Sequence, residues 1–175
     1  HKDRVAVAIS GGKDSMAMLS CLSSYKNYSP RKFSLVAVAF DPCFQGREID
    51  YSSIISYCHD IGVHLRIKRC NLGETLSATE KGTACSLCSR IRRGALHQMA
   101  ISEGCNKIAL GHHMDDVVET FFLNLFQGGR FESFSPVSYL SRKKITAIRP
   151  MVLCTEQELK RYSEYKNLPT VANPC

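Results

Sequence analysis

Ser10-Gly11-Gly12-Lys13-Asp14-Ser15 is the stretch whose residue types and order most directly imply chemistry. Two adjacent glycines let a backbone come close to an anion, and successive N–H groups at a helix start offer it positive potential. Ser10 and Ser15 add hydroxyl donors, and Lys13 adds a charge. Asp14 is out of place beside an anion unless it orients the loop or holds Mg2+. The stretch fits neither the G-x-x-x-x-G-K-S/T phosphate loop nor the G-x-G-x-x-G dinucleotide fingerprint. The plainer alternative is a Gly-Gly turn with a Ser or Asp cap.

A second candidate is Cys85-Ser86-Leu87-Cys88, followed by Arg90, Arg92 and Arg93. On a helix, residues three apart share a face, so the two sulfurs suit a metal, a cluster or a redox pair. Structural zinc is disfavoured, because no second C-x-x-C is present. Two cysteines with no ligand are the alternative. A third candidate is Gly111-His112-His113-Met114-Asp115-Asp116. Its paired carboxylates could hold Mg2+ or move protons, or simply cap the following helix.

These groups need elements to hold them. Apolar runs at residues 5–9, 33–40, 63–67, 107–110 and 145–148 read as five short buried strands. Helices are expected over 16–22, 49–61, 85–103, 114–126 and 155–165. Thr155 and Glu158 form a capping box at the start of the last one. Residues 71–84 resist assignment, and 130–142 read as a surface loop. The alternation predicts an α/β fold, a parallel five-stranded sheet with helices on both faces. Ligands in such folds bind at the carboxyl ends of the strands, where the glycine stretch and Gly111 both fall.

The length of 175 residues suits a single domain, with 44% hydrophobic and 22% charged residues. The net charge of +7 is compatible with an anionic partner such as RNA, or with an ordinary basic surface. Nine cysteines, with no leader-like start and no membrane-length apolar run, point to a reducing cytoplasm rather than a disulfide framework. Basic residues at 90, 92, 93, 130 and 142–144 could guide an RNA. Phe131, Phe134 and Tyr139 could stack a flipped-out base, or merely pin the loop.

The glycine stretch closely resembles the pyrophosphate loop of the PP-loop ATPases. With CSLCSRIRRGAL, KIALGHHMDDVVETFFLNLFQGG and IRPM in that order, the chain resembles the TtcA family over essentially its whole length. That family belongs to the TtcA/TtuA group of tRNA 2-thiolation enzymes. The resemblance implies a Rossmann-like fold and ATP bound by Ser10, Gly11, Gly12, Asp14, Ser15 and Gly111. It implies a 4Fe-4S cluster on Cys85, Cys88 and Cys175, with Cys154 the fallback for the third ligand. Three thiolates would leave one iron open to sulfide. Asp115 is the implied catalytic acidic residue near the nucleotide, and Arg92 matches a basic residue, lysine in some relatives, implied to assist catalysis. Implied partners are tRNA, with cytidine 32 its base, a sulfur donor such as a cysteine desulfurase, and a second copy in a homodimer. No flanking cysteine zinc modules of the TtuA type are expected, which favours the TtcA branch. A cluster-free persulfide thiolase, a lysidine-synthetase-like ligase and a non-enzymatic nucleotide-binding module are the rival readings.

Overall fold

The computed structural model describes residues 3–72 and 81–172. Cys175 and most of the unassigned polar stretch lie outside the described residues. The strands are β1 (Asp3–Ile9), β2 (Phe33–Asp41), β3 (His64–Arg69), β4 (Lys107–Ala109), β5 (Val137–Leu140) and β6 (Ile145–Ile148). The helices are α1 (Lys13–Tyr28), α2 (Ser52–Asp60), α3 (Lys81–Ser102), α4 (Met114–Gly128) and α5 (Glu156–Tyr165). The strands form one sheet in the order β3-β2-β1-β4-β6-β5, and only the β5–β6 pair is antiparallel.

Strand periodicity explains the layers. Val5, Val7 and Ile9 of β1 face Met16, Leu19, Ile54 and Leu159, from α1, α2 and α5. Ala6 and Ala8 face the other way, with Val36 and Val38, onto Met99 and Ala100 of α3. Central strands covered on both sides must be apolar throughout, which is why β1 and β2 read as continuous runs. The expected α/β fold with helices on both faces is present, with six strands instead of five.

The extra strand, β5, lies inside the segment expected to be a loop over 130–142. It is an edge strand with alternating exposed and half-buried residues, so it lacks the buried run of its neighbours. Its turn back to β6 places Lys144 at φ +51 without the glycine or asparagine that usually marks such turns. Helix α1 also runs beyond residue 22, because its second half is a polar, solvent-facing face. The Thr155–Glu158 capping box forms as expected.

After β1 the chain continues to β2 on one side, whereas β4 pairs with β1 on the other. This reversal opens a crevice between the carboxyl ends of β1 and β4. No helix among the described residues is long and apolar enough to cross a membrane.

Candidate functional site

The glycine stretch is a tight loop between β1 and α1, held by its own hydroxyls. Ser15 Oγ donates to the Gly12 carbonyl (2.9 Å) and accepts from the Ser10 N–H (3.2 Å). The Gly12 N–H donates to Ser10 Oγ (3.3 Å). Gly11 sits at φ +86, and a Cβ there would collide with the Val171 side chain, while the Val171 N–H donates to the Gly11 carbonyl (2.9 Å). The last described residues thus fasten onto this loop. Helix α1 begins after Gly12 with no side chain capping it. The first N–H groups of a helix have no acceptors within the helix, so this end suits an anion.

Lys13 does not serve the loop. Its ammonium pairs with Glu156 (2.7 Å) and Asp14 (3.2 Å), turned toward α5. Burial works against its charge, but the two carboxylates outweigh it and hold Lys13 above the ordinary lysine range.

A cavity of about 270 Å³ occupies the crevice. Ser10, Asp14 and Ser15 line one end, with Gly111 and His112 beside them. Phe40, Tyr51, Leu96 and Leu110 give it an apolar wall, and Arg92 reaches in from α3. Gly111 packs so closely that a Cβ would stand 3.4 Å from the Ser15 backbone nitrogen. Three polar atoms on this lining are buried with no hydrogen-bond partner: Asp14 Oδ1, Arg92 Nε and His112 Nδ1. Unmet buried polar groups are costly, and three in one cavity mark it as built for a polar ligand.

Two contributors have no role in the sequence reading, although His112 lies within the third candidate stretch. Asp41, fully buried at the end of β2, accepts from the Cys43 and Ile49 N–H groups (2.9 Å each). It thereby folds the segment that brings Ile49 and Tyr51 to the cavity wall. Burial and the Asp41 charge push the Tyr51 phenol up to about 12, against the pull of Arg92 and Arg69, so it stays neutral. His112 is the other contributor. Burial and the charge of Arg149 hold it below the ordinary histidine range, against the pull of Asp116. Its ring packs on Phe134 (4.8 Å between centroids), and Arg149 covers the same phenyl at 4.8 Å. Phe134 is thus engaged within the fold.

Cys85 and Cys88 both lie on α3, and neither is in a disulfide. Cys85 is exposed, whereas Cys88 is buried with Phe40, Leu72 and Ala95. Arg92 follows Cys88 by four residues, one helical turn or about 6 Å. Phe40 packs with Cys88 and also lines the cavity. Cys154 packs on the α1, α2 and α5 side of the sheet, away from Cys88 on the α3 side. No three His, Cys, Asp or Glu side chains among the described residues are grouped as metal ligands.

The paired aspartates divide their work. Asp116 closes a capping box on its own helix: its carboxylate accepts from the His113 N–H (2.9 Å), and its N–H donates to His113 Nδ1 (3.4 Å). Asp115 accepts the Glu156 N–H (2.8 Å) and so joins the starts of α4 and α5. Asp115 does not line the cavity.

A parallel sheet with a glycine loop after its first strand, and a ligand-sized crevice beside it, defines an α/β nucleotide-binding protein. The chain belongs to the PP-loop domain family, whose pattern matches residues 1–174. It is 42% identical, over 99% of its length, to the tRNA-cytidine(32) 2-sulfurtransferase of Aeromonas salmonicida, of which it covers 57%. It is 38% identical to the protein of that name from Syntrophotalea carbinolica, again over 99% of its length and covering 66% of that relative. The chain thus spans rather more than half the length of these curated relatives. Its fold is similar to that of the U34-tRNA thiolase NcsA from Methanococcus maripaludis with its 4Fe-4S cluster. That likeness has a TM-score of 0.75 at 26% identity, over 99% of this chain and 60% of the other. A phosphoadenylyl-sulfate reductase from Candida auris, in phosphate complex, shares the fold alone, with a TM-score of 0.56 at 11% identity over 95% and 74% of the two chains.

Proposed function

We propose that this chain is the catalytic core of an ATP-dependent tRNA 2-sulfurtransferase acting on a cytidine, cytidine 32 in the relatives' case. The observation that carries the reading is the junction at Phe40. One helix presents Cys88 and, a turn later, Arg92, and Phe40, in the same apolar cluster as the cysteine, also lines the cavity. Sulfur chemistry and a nucleotide site are thereby set side by side.

ATP suits the cavity: the base lies against the apolar wall and the phosphates against Ser10, Gly11, Gly12, Ser15 and the start of α1. Gly111 permits the close approach of the second turn. The unpartnered Oδ1 of Asp14 fits Mg2+, which typically takes one or two carboxylates plus phosphate oxygens. The C2 oxygen of the base attacks the α-phosphorus, and pyrophosphate leaves. A sulfur nucleophile then adds at C2, and AMP departs with the oxygen. Arg92 stabilises the charge that develops on the phosphate. Asp115, which accepts from the Glu156 N–H, is the acidic residue of the proposal and orients the second turn.

Cys85 and Cys88 supply two thiolates a turn apart, which fits a 4Fe-4S cluster if a third is added. Cys175 is that third ligand in this reading. It follows by four residues Val171, which is bonded to Gly11, and four residues reach at most about 14 Å. Cys154 packs against the α1, α2 and α5 cluster, as Val171 does, and stays the fallback. When bound, the cluster supplies thiolate-held iron able to carry sulfide. A cytoplasmic setting, a cysteine desulfurase as sulfur source and a homodimer belong to the same proposal and rest on the family resemblance.

The test is anaerobic reconstitution with iron and sulfide, then incubation with ATP, sulfide and unmodified tRNA. Pyrophosphate release and 2-thiocytidine in digested tRNA are expected, with Cys88→Ala losing the thionucleoside but not ATP binding. Full thiolation by iron-free protein would remove the cluster from the scheme, and a lysine-dependent product would replace the reaction.

A further inference from the structure

His112, Phe134 and Arg149 pack together beside the cavity. His112 lines it, Phe134 packs on His112, and the Arg149 guanidinium covers Phe134. Arg149, at the carboxyl end of β6, is fixed by donating from Nη1 to the Ser135 carbonyl and to Ser138 Oγ. Its Nε is buried and has no partner. Arg93 on α3 and Lys143 in the β5–β6 turn add charge nearby: Arg93 acts on Arg149 and His112, and both act on His97.

Among the described residues, none of Arg93, Lys143 and Arg149 has an ion-pair partner, whereas Lys13, Arg66, Arg69 and Lys107 each have one. Burial and the Arg93 charge both depress the Arg149 guanidinium. Holding unneutralised like charges together, one of them partly buried, is unfavourable unless an anion completes the group.

We propose that Arg93 and Arg149 form a second anion site, outside the nucleotide cavity, that grips a backbone phosphate of the RNA strand whose base is being modified. This site rests on the reading of the substrate as tRNA. The ATP phosphates are the other source of the same chemistry, but the glycine loop already provides for them. Arg149 does not line the cavity: it covers Phe134, which in turn packs on the lining residue His112. The geometry fits a strand that crosses the mouth of the cavity and passes its base inward.

The experiment is filter binding of unmodified tRNA across a salt series, with ATP binding measured in parallel, on wild type, Arg93→Gln, Arg149→Met and Arg149→Lys. Each neutral substitution is expected to flatten the slope of log K against log salt by roughly 0.7–0.9. Arg149→Lys is expected to keep the slope, and ATP affinity is expected to stay within about twofold throughout. Arg93 is exposed on its helix, so its substitution reports binding without disturbing the fold. An unchanged slope in both neutral variants would overturn the site while leaving the sulfurtransferase reading intact. Loss of ATP affinity would overturn it by returning these arginines to the nucleotide. Wild type that binds no tRNA would instead bring down the substrate reading, and the site with it.

Discussion

Helices α1 and α4 leave neighbouring parallel strands through glycine-containing turns, and both carry aspartate in their first turn. They end in opposite surroundings. In α1, six consecutive residues from Ser15 to Ser20 are buried, as the sheet and α5 enclose the helix start. In α4 no residue is buried, although it is the more apolar of the two. Val118, Phe122, Leu123 and Phe126 are all exposed on it. Hydrophobicity therefore does not decide which helix is core. The decisive difference is what the chain brings on top: α5 returns over α1, whereas nothing among the described residues covers the outer face of α4.

The most severe test of that contrast is truncation inside α1. Met16 is fully buried, and Met16→Ala is expected to cost about 2–5 kcal/mol, read by thermal or urea unfolding. A loss below about 1 kcal/mol would mean that α1 is not the packed helix described. Gly11→Ala comes next. It meets both the positive φ and Val171, and about 1–3 kcal/mol of strain is expected, with weakened ATP binding. Truncating Val171 to alanine in the same chain should recover the steric part and leave the backbone part.

The two helix starts also differ in their response to acid. At α1 the Lys13–Glu156 pair raises the lysine and lowers the glutamate, so neither titrates near neutrality. At α4, His112 is held below its ordinary 6.5 by burial first, then by Arg149. As pH falls through 6.5 the unfolded chain takes up this proton before the folded one does. Stability is complete above that point and declines below it, down to the depressed folded value. The limit is about 1.4 kcal/mol per pH unit for one group, and partial exposure reduces it. His112→Gln is expected to flatten the unfolding profile below pH 6.5, and a slope unchanged by the substitution would assign the acid response elsewhere.

Residues differ in how far sequence alone discloses them, and the same contrast explains why. Val5–Ile9 and Phe33–Phe40 are legible because burial on both faces leaves no room for polar residues. The Ser10–Ser15 loop is legible because its spacing is chemically unusual. Asp41, His112 and Arg149 are not, because their importance comes from burial, from unmet hydrogen bonds and from neighbours distant in sequence. β5 escapes notice because an edge strand needs only half an apolar pattern. For α4 the periodicity gives the helix correctly, and Gly129 ends it at φ +59, but nothing in that periodicity says whether the apolar face is covered.

The smallest expected effect bears on that last point. Phe122 and Phe126 stack on each other at 5.9 Å while remaining 47% and 79% exposed. Replacing an exposed side chain removes little buried surface, so Phe126→Ser should change stability by no more than about 0.5 kcal/mol. Phe122→Ser should cost slightly more, since its ring is the more covered of the two. Urea midpoints of both variants, measured beside Met16→Ala, put the two helices on one scale. A cost of about 2 kcal/mol or more at Phe126 would require the α4 face to be packed in solution. The contrast with α1 would then collapse, and apolar content would after all identify the core.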